Sequence, residues 1–200
     1  MKGEKSPAKA HYDFLPLFCR IDELSQTKKH VFVAIDGNSA AGKTSLAVLL
    51  KSMYSCNVFS MDEFFLQPYQ RTPERLNEPG GNVDYERFEK EIIEALQSEK
   101  PFAYQAYDCR SQKLSEPRSI IPRQLNIIEG VYSLHPRFIG LYDIKVFLSL
   151  DATQQRSRLA ERSIGLYNRF MQEWLPMEND YFEYFQILDK CDLVFNSNSI

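Results

Sequence analysis

Residues 30–35 (HVFVAI) form a continuous apolar run rich in β-branched side chains that stops abruptly at Asp36-Gly37. A run of this kind predicts a strand buried on both faces of a parallel sheet. Residues 44–54 then change to helical spacing, with Leu46, Leu49 and Leu50 on one face. A short strand is expected over 57–60, followed by a loop rich in Pro and Gly over 67–82. Residues 84–98 predict an amphipathic helix, with Phe88, Ile92, Ala95 and Leu96 recurring at helical intervals. Two further strands fall at 125–128 and 144–150, separated by a short helix or turn at 135–141. A charged helix over 152–169, a second helix over 181–190 and an edge strand over 192–195 complete the pattern. Ahead of it, residues 14–24 predict a short helix broken near Pro16, and residues 1–10 a disordered leader. Neither an internal repeat nor a low-complexity tract interrupts the series. Strands alternating with helices predict an α/β fold, a parallel sheet covered on both faces, in one domain spanning 1–200.

Composition narrows the choice of partners. Lys and Arg total 24 against 27 Asp and Glu, a formal net charge of −3, so the basic excess of a nucleic-acid-binding protein is missing. Cys19, Cys56, Cys109 and Cys191 are widely spread and form no C-x-x-C pair, which argues against a zinc site or a disulfide framework. Reduced thiols, a polar stretch over 1–9 and no apolar run of membrane-spanning length predict a cytoplasmic protein without membrane or nucleic-acid partners.

Candidate chemistry begins at Gly37-Asn38-Ser39-Ala40-Ala41-Gly42-Lys43-Thr44, followed by Ser45. This is G-x-x-x-x-G-K-[ST], the Walker A phosphate loop, placed between a predicted buried strand and a helix. Glycines let the backbone wrap an anion, and amides at the helix start point at phosphates. Lys43 is expected to place its charge on the β- and γ-phosphates, and Thr44 to offer its hydroxyl to Mg²⁺. The motif predicts nucleotide triphosphate binding and leaves the destination of the γ-phosphate open.

Carboxylates at strand ends supply the next candidates. Asp62, in FSMDEFF, ends the second strand and should face the phosphate loop, where it could accept the proton of an attacking hydroxyl. Glu63 competes for that role. Glu129 ends the run 125–128 in the manner of a Walker B acid, holding Mg²⁺ or pairing with a base. Asp151 precedes a helix carrying Arg156, Arg158 and Arg162, with Arg169 further on. Arg158 and Arg162 lie one turn apart, and arginine forks suit the equatorial oxygens of a transferring phosphoryl group.

These residues together resemble the phosphoribulokinase/uridine kinase family. The resemblance runs over roughly 31–195 and is carried by IDGNSAAGKT, FSMDEFF, NVDYERF and IIEGVYSLHP in that order. It implies a three-layer P-loop NTPase fold with a five-stranded parallel sheet and a helical lid at 152–170. It also implies ATP and Mg²⁺ as cofactors and a hydroxyl-bearing small molecule as acceptor. By the same resemblance Asp62 corresponds to the catalytic base, and Asp84 to the acid binding ribose hydroxyls. Tyr107 matches an aromatic of the base pocket, and Arg158 and Arg162 match the lid arginines. Asp84 could equally be the N-cap of the helix that follows it, and Tyr107 a residue packed in a hairpin. Phe64, Phe65 and Tyr69 could stack on a base or belong to the core. Family members are often homo-oligomers, and no stretch of this chain marks an interface.

Uridine or cytidine, phosphorylated at the 5′-hydroxyl, is the favoured acceptor. Cys109-Arg110-Ser111-Gln112 stands where uridine kinases carry a histidine that reads the pyrimidine. Pantothenate, glycerate and a nicotinamide nucleoside therefore stay open as acceptors. So does a nucleoside monophosphate, whose phosphate could meet Arg71, Arg75 or Arg110. From a different class, an ATPase switch remains an alternative.

Overall fold

The computed structural model describes residues 14–162 and 165–199; the expected leader at 1–10 lies outside them. Helix α1 (Leu15–Thr27) is not broken by Pro16, which occupies its first turn, where the missing N–H has no intrahelical acceptor to lose. Strand β1 (Val31–Gly37) is buried at every position, as an apolar run without alternation requires. It leads through the phosphate loop into α2 (Lys43–Met53) and then to β2 (Cys56–Ser60).

The segment expected as an open loop over 67–82 is more ordered than its Pro and Gly content suggests. It holds a 3₁₀ turn, Pro68–Gln70, and a short helix α3 (Pro73–Asn77) whose N-cap Thr72 accepts the Arg75 N–H. Helix α4 (residues 85–97) is capped by Asp84 and contains a π turn, Glu89–Ile93. That wider turn brings Ile93 into the core beside the expected Phe88, Ile92 and Leu96.

Two small antiparallel ribbons follow that the apolar pattern does not announce. Strands β3 (Phe102–Tyr104) and β6 (Arg118–Ile120) form one. Strands β4 (Tyr107–Asp108) and β5 (Lys113–Leu114) form the other. Strands β7 (Leu125–Glu129) and β8 (Ile144–Ser149) return to the main sheet. Helix α5 (Ala152–Arg162) is shorter than the expected 152–169, and α6 (residues 167–184) begins a new helix before Pro176. A π turn, Phe170–Trp174, opens the hydrogen-bond ladder just ahead of the proline, which itself lacks an N–H. The helix expected over 181–190 is therefore the end of α6 plus a 3₁₀ turn, Leu188–Lys190. Strand β9 (Leu193–Asn196) is the expected edge strand.

The main sheet has five strands in the order β2-β7-β1-β8-β9, and every pairing is parallel. Val31, Val33 and Ile35 pack on one face against Leu17 and Ile21 of α1 and Leu46 and Leu50 of α2. Phe32 and Ala34 pack on the other face with Phe88 and Ile92 of α4 and Tyr181 of α6. Successive β1 side chains thus feed two separate cores, which makes the three layers. Register aligns Ile35 and Ser60 with Glu129, and Gly37 with Leu148. The strand ends carrying the candidate residues are level as a result. Chain connections diverge on either side of β1, so the loop after it opens at the topological switch point where such sheets bind ligands.

Candidate functional site

The phosphate loop leaves β1 through a position that only glycine fits. Gly37 has φ +134°, and a Cβ there would lie 2.2 Å from the Leu148 carbonyl oxygen. Gly42, at φ +95°, begins α2 in the left-handed region. The Asn38 N–H donates to the Leu148 carbonyl at 3.1 Å, and Asn38 Oδ1 accepts the Leu150 N–H at 3.0 Å. Both bonds pin the loop to β8. Lys43 curls over it, donating to the carbonyls of Gly37 at 2.7 Å and Asn38 at 3.0 Å. A buried ammonium held by two loop carbonyls keeps its charge inside the turn.

Asp36, just before the loop, is fully buried. Its carboxylate accepts the N–H groups of Gly37 and Leu134 and the Tyr181 hydroxyl, at 2.7, 3.0 and 2.9 Å. Burial pushes its pKa up to about 6, against the pull of those donors and of Lys43.

Three acids surround the mouth of the loop, and each has a different environment. Glu129 is buried, and its Oε2 lies 3.2 Å from the Thr44 hydroxyl. Burial raises its pKa, with Ser60 and Thr44 hydrogen bonds and the Lys43 charge acting the other way. Asp62, in the 3₁₀ turn Met61–Phe64, faces solvent. The protein around it still raises its pKa by desolvation, which the charges of Lys43 and Arg162 partly offset. Among the described residues Asp62 has no hydrogen bond or ion pair. Glu63, by contrast, is engaged on both oxygens: the Tyr104 hydroxyl donates at 2.7 Å, and the Arg118 guanidinium pairs with the other.

From α5, Arg158 donates to the Ala40 carbonyl at 3.3 Å and the Ser197 carbonyl at 2.7 Å. Arg158 and Arg162 line an open cavity of about 390 Å³ with Ala40, Gly42, Ser45 and Glu161. Lys43, Asp62, Glu129 and Arg162 are thus gathered at one place from four separate elements.

The remaining expected residues are more enclosed. Phe64 is a correction: its ring is fully buried, set edge-on to Phe88 and stacked with Tyr104, with the Arg87 guanidinium 4.2 Å from its centre. No face is left for a ligand to stack on, so Phe64 serves the core. Asp84 is buried as well. It caps α4 by accepting the Arg87 N–H at 3.0 Å and receives Gln70 Nε2 at 2.8 Å. Tyr107 is buried in β4, its hydroxyl 3.4 Å from Arg71. Consecutive loop residues, Gln70 and Arg71, therefore hold Asp84 and Tyr107.

Several residues of this neighbourhood carry no signal in the sequence. Arg87 ties the Asp62 turn to α4 and the ribbons through the carbonyls of Glu63 and Gln105, at 2.8 and 2.7 Å. Arg118 and Tyr104 fix Glu63 from β6 and β3. Glu178, Tyr181 and Gln155 approach the phosphate loop from α6 and α5. Only Asp36 was marked locally, by ending the apolar run.

No protein-family model matches the chain. It is 30% identical over 181 residues to a uridine kinase of Bacillus mycoides, covering 78% of this chain and 82% of that one. It is 28% identical over 182 residues to a dephospho-CoA kinase of Mycoplasma genitalium, covering 85% and 86%. Among solved structures, a possible uridine kinase from Bacillus stearothermophilus superposes with a TM-score of 0.64 at 23% identity, covering 90% of this chain and all of that one. With this fold, this loop and these relatives, the chain belongs to the uridine kinase-like family of P-loop small-molecule kinases.

Proposed function

We propose that the protein transfers the γ-phosphate of ATP to a hydroxyl of a small molecule, the 5′-hydroxyl of uridine or cytidine being the first acceptor to test. The observation that carries this reading is the placement of Asp62. Its carboxylate is free of hydrogen bonds among the described residues and lies within the field of Lys43 and Arg162. A phosphate-loop protein that only hydrolysed or sensed nucleotide would need no such acid at the strand end.

Thr44 and Glu129 fit Mg²⁺: both offer oxygen, they are 3.2 Å apart, and among the described residues no lysine or arginine forms an ion pair with the buried Glu129. When bound, the ion would neutralise charge on the β- and γ-phosphates. The protein groups do the rest. Amides from Ala40 to Ser45 receive the phosphates, and Lys43 turns from its carbonyls to the β- and γ-oxygens. Asp62 orients the acceptor hydroxyl and takes its proton as the new O–P bond forms and the β–γ bridge breaks, leaving ADP. Arg158 and Arg162 meet the equatorial oxygens of the moving group, and α5 acts as the lid that keeps water away. Tyr107 and Asp84 border the acceptor side in this reading, with Gln70 and Arg71 as the groups that a bound acceptor would displace.

The test is ADP release from ATP·Mg²⁺ across uridine, cytidine, nucleoside monophosphates, dephospho-CoA, pantothenate, glycerate and nicotinamide riboside. Stimulation by uridine or cytidine supports the pyrimidine nucleoside. Dephospho-CoA belongs in the panel because a relative of comparable similarity is a dephospho-CoA kinase. Release that no acceptor stimulates would overturn the kinase reading in favour of an ATPase.

A further inference from the structure

Glu178 lies in the middle of α6, remote in sequence from every motif, yet it is only 2% exposed. No lysine or arginine pairs with it among the described residues. A buried carboxylate without a cation is costly unless donors surround it. Here the donors come from the phosphate loop and the arginine-bearing helix. Oε1 accepts the Ser39 N–H at 2.8 Å and Gln155 Nε2 at 3.2 Å, and Oε2 accepts the Ser39 hydroxyl at 2.6 Å. Gln155 also donates to the Ser39 carbonyl at 3.2 Å. Every polar atom of Ser39 is therefore held by one of two side chains outside the loop. Three residues along α6, Tyr181 donates to Asp36 at 2.9 Å, fastening the start of the same loop.

We propose that Glu178 is a positioning residue for nucleotide binding: it fixes Ser39, and with it the curvature of the phosphate loop, and it links that curvature to α5 through Gln155. The physical case is pre-organisation. A loop whose amides already point inward binds phosphate without first ordering itself, whereas the same loop without these bonds must lose its freedom on binding. Hydrogen bonds to a charged acceptor are the strong kind, so one buried carboxylate can hold what several neutral contacts would not. Because Gln155 shares α5 with Arg158 and Arg162, the same group sets the distance between the loop and the arginines. This inference rests on the reading that ATP binds at the loop.

Calorimetric titration of ATP·Mg²⁺ into the wild type, Glu178→Ala, Glu178→Gln and Ser39→Ala tests it. Wild type that binds no ATP would overturn the functional reading, and this proposal with it. With wild-type binding established, Glu178→Ala is expected to weaken ATP at least about tenfold. The rise should appear in KM for ATP more than in kcat at saturation, with faster amide exchange at residues 37–42. Glu178→Gln should fall between wild type and Glu178→Ala, because the Ser39 hydroxyl can turn to accept the new amide but the bonds are no longer to a charged acceptor. Unchanged affinity and exchange in Glu178→Ala would overturn the proposal, as would Glu178→Gln no better than Ala. If Glu178→Ala fails to fold, Ser39→Ala decides: about threefold or more weaker ATP supports the proposal, and wild-type affinity overturns it.

Discussion

The Thr44 hydroxyl lies 3.2 Å from Oε2 of Glu129, two groups 85 residues apart that meet because β1 and β7 are neighbours in register. The pair joins the first residue after the loop lysine to the end of a buried strand, and both members offer oxygen. Glu129→Gln keeps the shape and removes the charge. Turnover is expected to need about ten- to hundredfold more Mg²⁺ for half-maximal rate, read from a Mg²⁺ titration at saturating ATP. An unchanged requirement would leave Glu129 as a structural acid.

Asp62 and Glu63 are adjacent in sequence and opposite in circumstance. Glu63 is taken by Tyr104 and Arg118, while Asp62 has no bonded partner among the described residues. Asp62→Asn is expected to lower kcat by about 10²- to 10⁴-fold with little change in ATP affinity. Glu63→Gln should cost far less in kcat, because that side chain braces the β3–β6 ribbon. Steady-state kinetics of both variants with the identified acceptor decide the matter, and the reverse ranking would move the base to Glu63.

What the chain discloses locally and what it hides follow from the range of the interactions. Strand, loop and helix over 31–53 are legible because burial on both faces, the glycines and Lys43-Thr44 all act within one short segment. The nearness of Asp62 to Glu129 follows from strand ends that lie level, Ser60 pairing with Glu129 and Asp62 following in the next turn. The ribbons are hidden because β4 and β5 contain two residues each, too few to show an alternation. Helix α6 is obscured by Pro176 and by the π turn that accommodates it. Glu178, Tyr181 and Arg118 reach Ser39, Asp36 and Glu63 across 139, 145 and 55 residues, too far for any local pattern to show. Phe64 misleads because the same aromatic residue type serves a ligand pocket or a core, and neighbours from α4 and β3 decide which.

Gly37 gives a test of the loop that does not depend on any ligand. Its φ of +134° is strained for any residue with a Cβ, and that Cβ would meet the Leu148 carbonyl oxygen at 2.2 Å, backbone that cannot swing aside. Gly37→Ala is expected to lose more than about 2 kcal/mol of stability, measured by urea unfolding. Gly140, with nothing within 4 Å of its Cβ position, serves as the control. Equal effects at the two positions would show that the loop exit relaxes.

Asp36 predicts how stability should vary with pH. Its folded pKa is raised by burial to about 6, against about 3.9 in an unfolded chain. Below about 4 both states carry the proton. From there to about 6 the folded protein holds a proton that the unfolded chain has released, so the contribution of this carboxyl to stability falls as pH rises. Above the folded pKa both states are ionised and the contribution is level again. Asp36→Asn cannot titrate, so the wild type should lose stability relative to this variant as pH rises through that window. Urea unfolding of both proteins at several pH values measures the difference. A difference that stays constant between pH 4 and 6 would mean that the donors from Gly37, Leu134 and Tyr181 hold Asp36 ionised throughout, with burial outweighed.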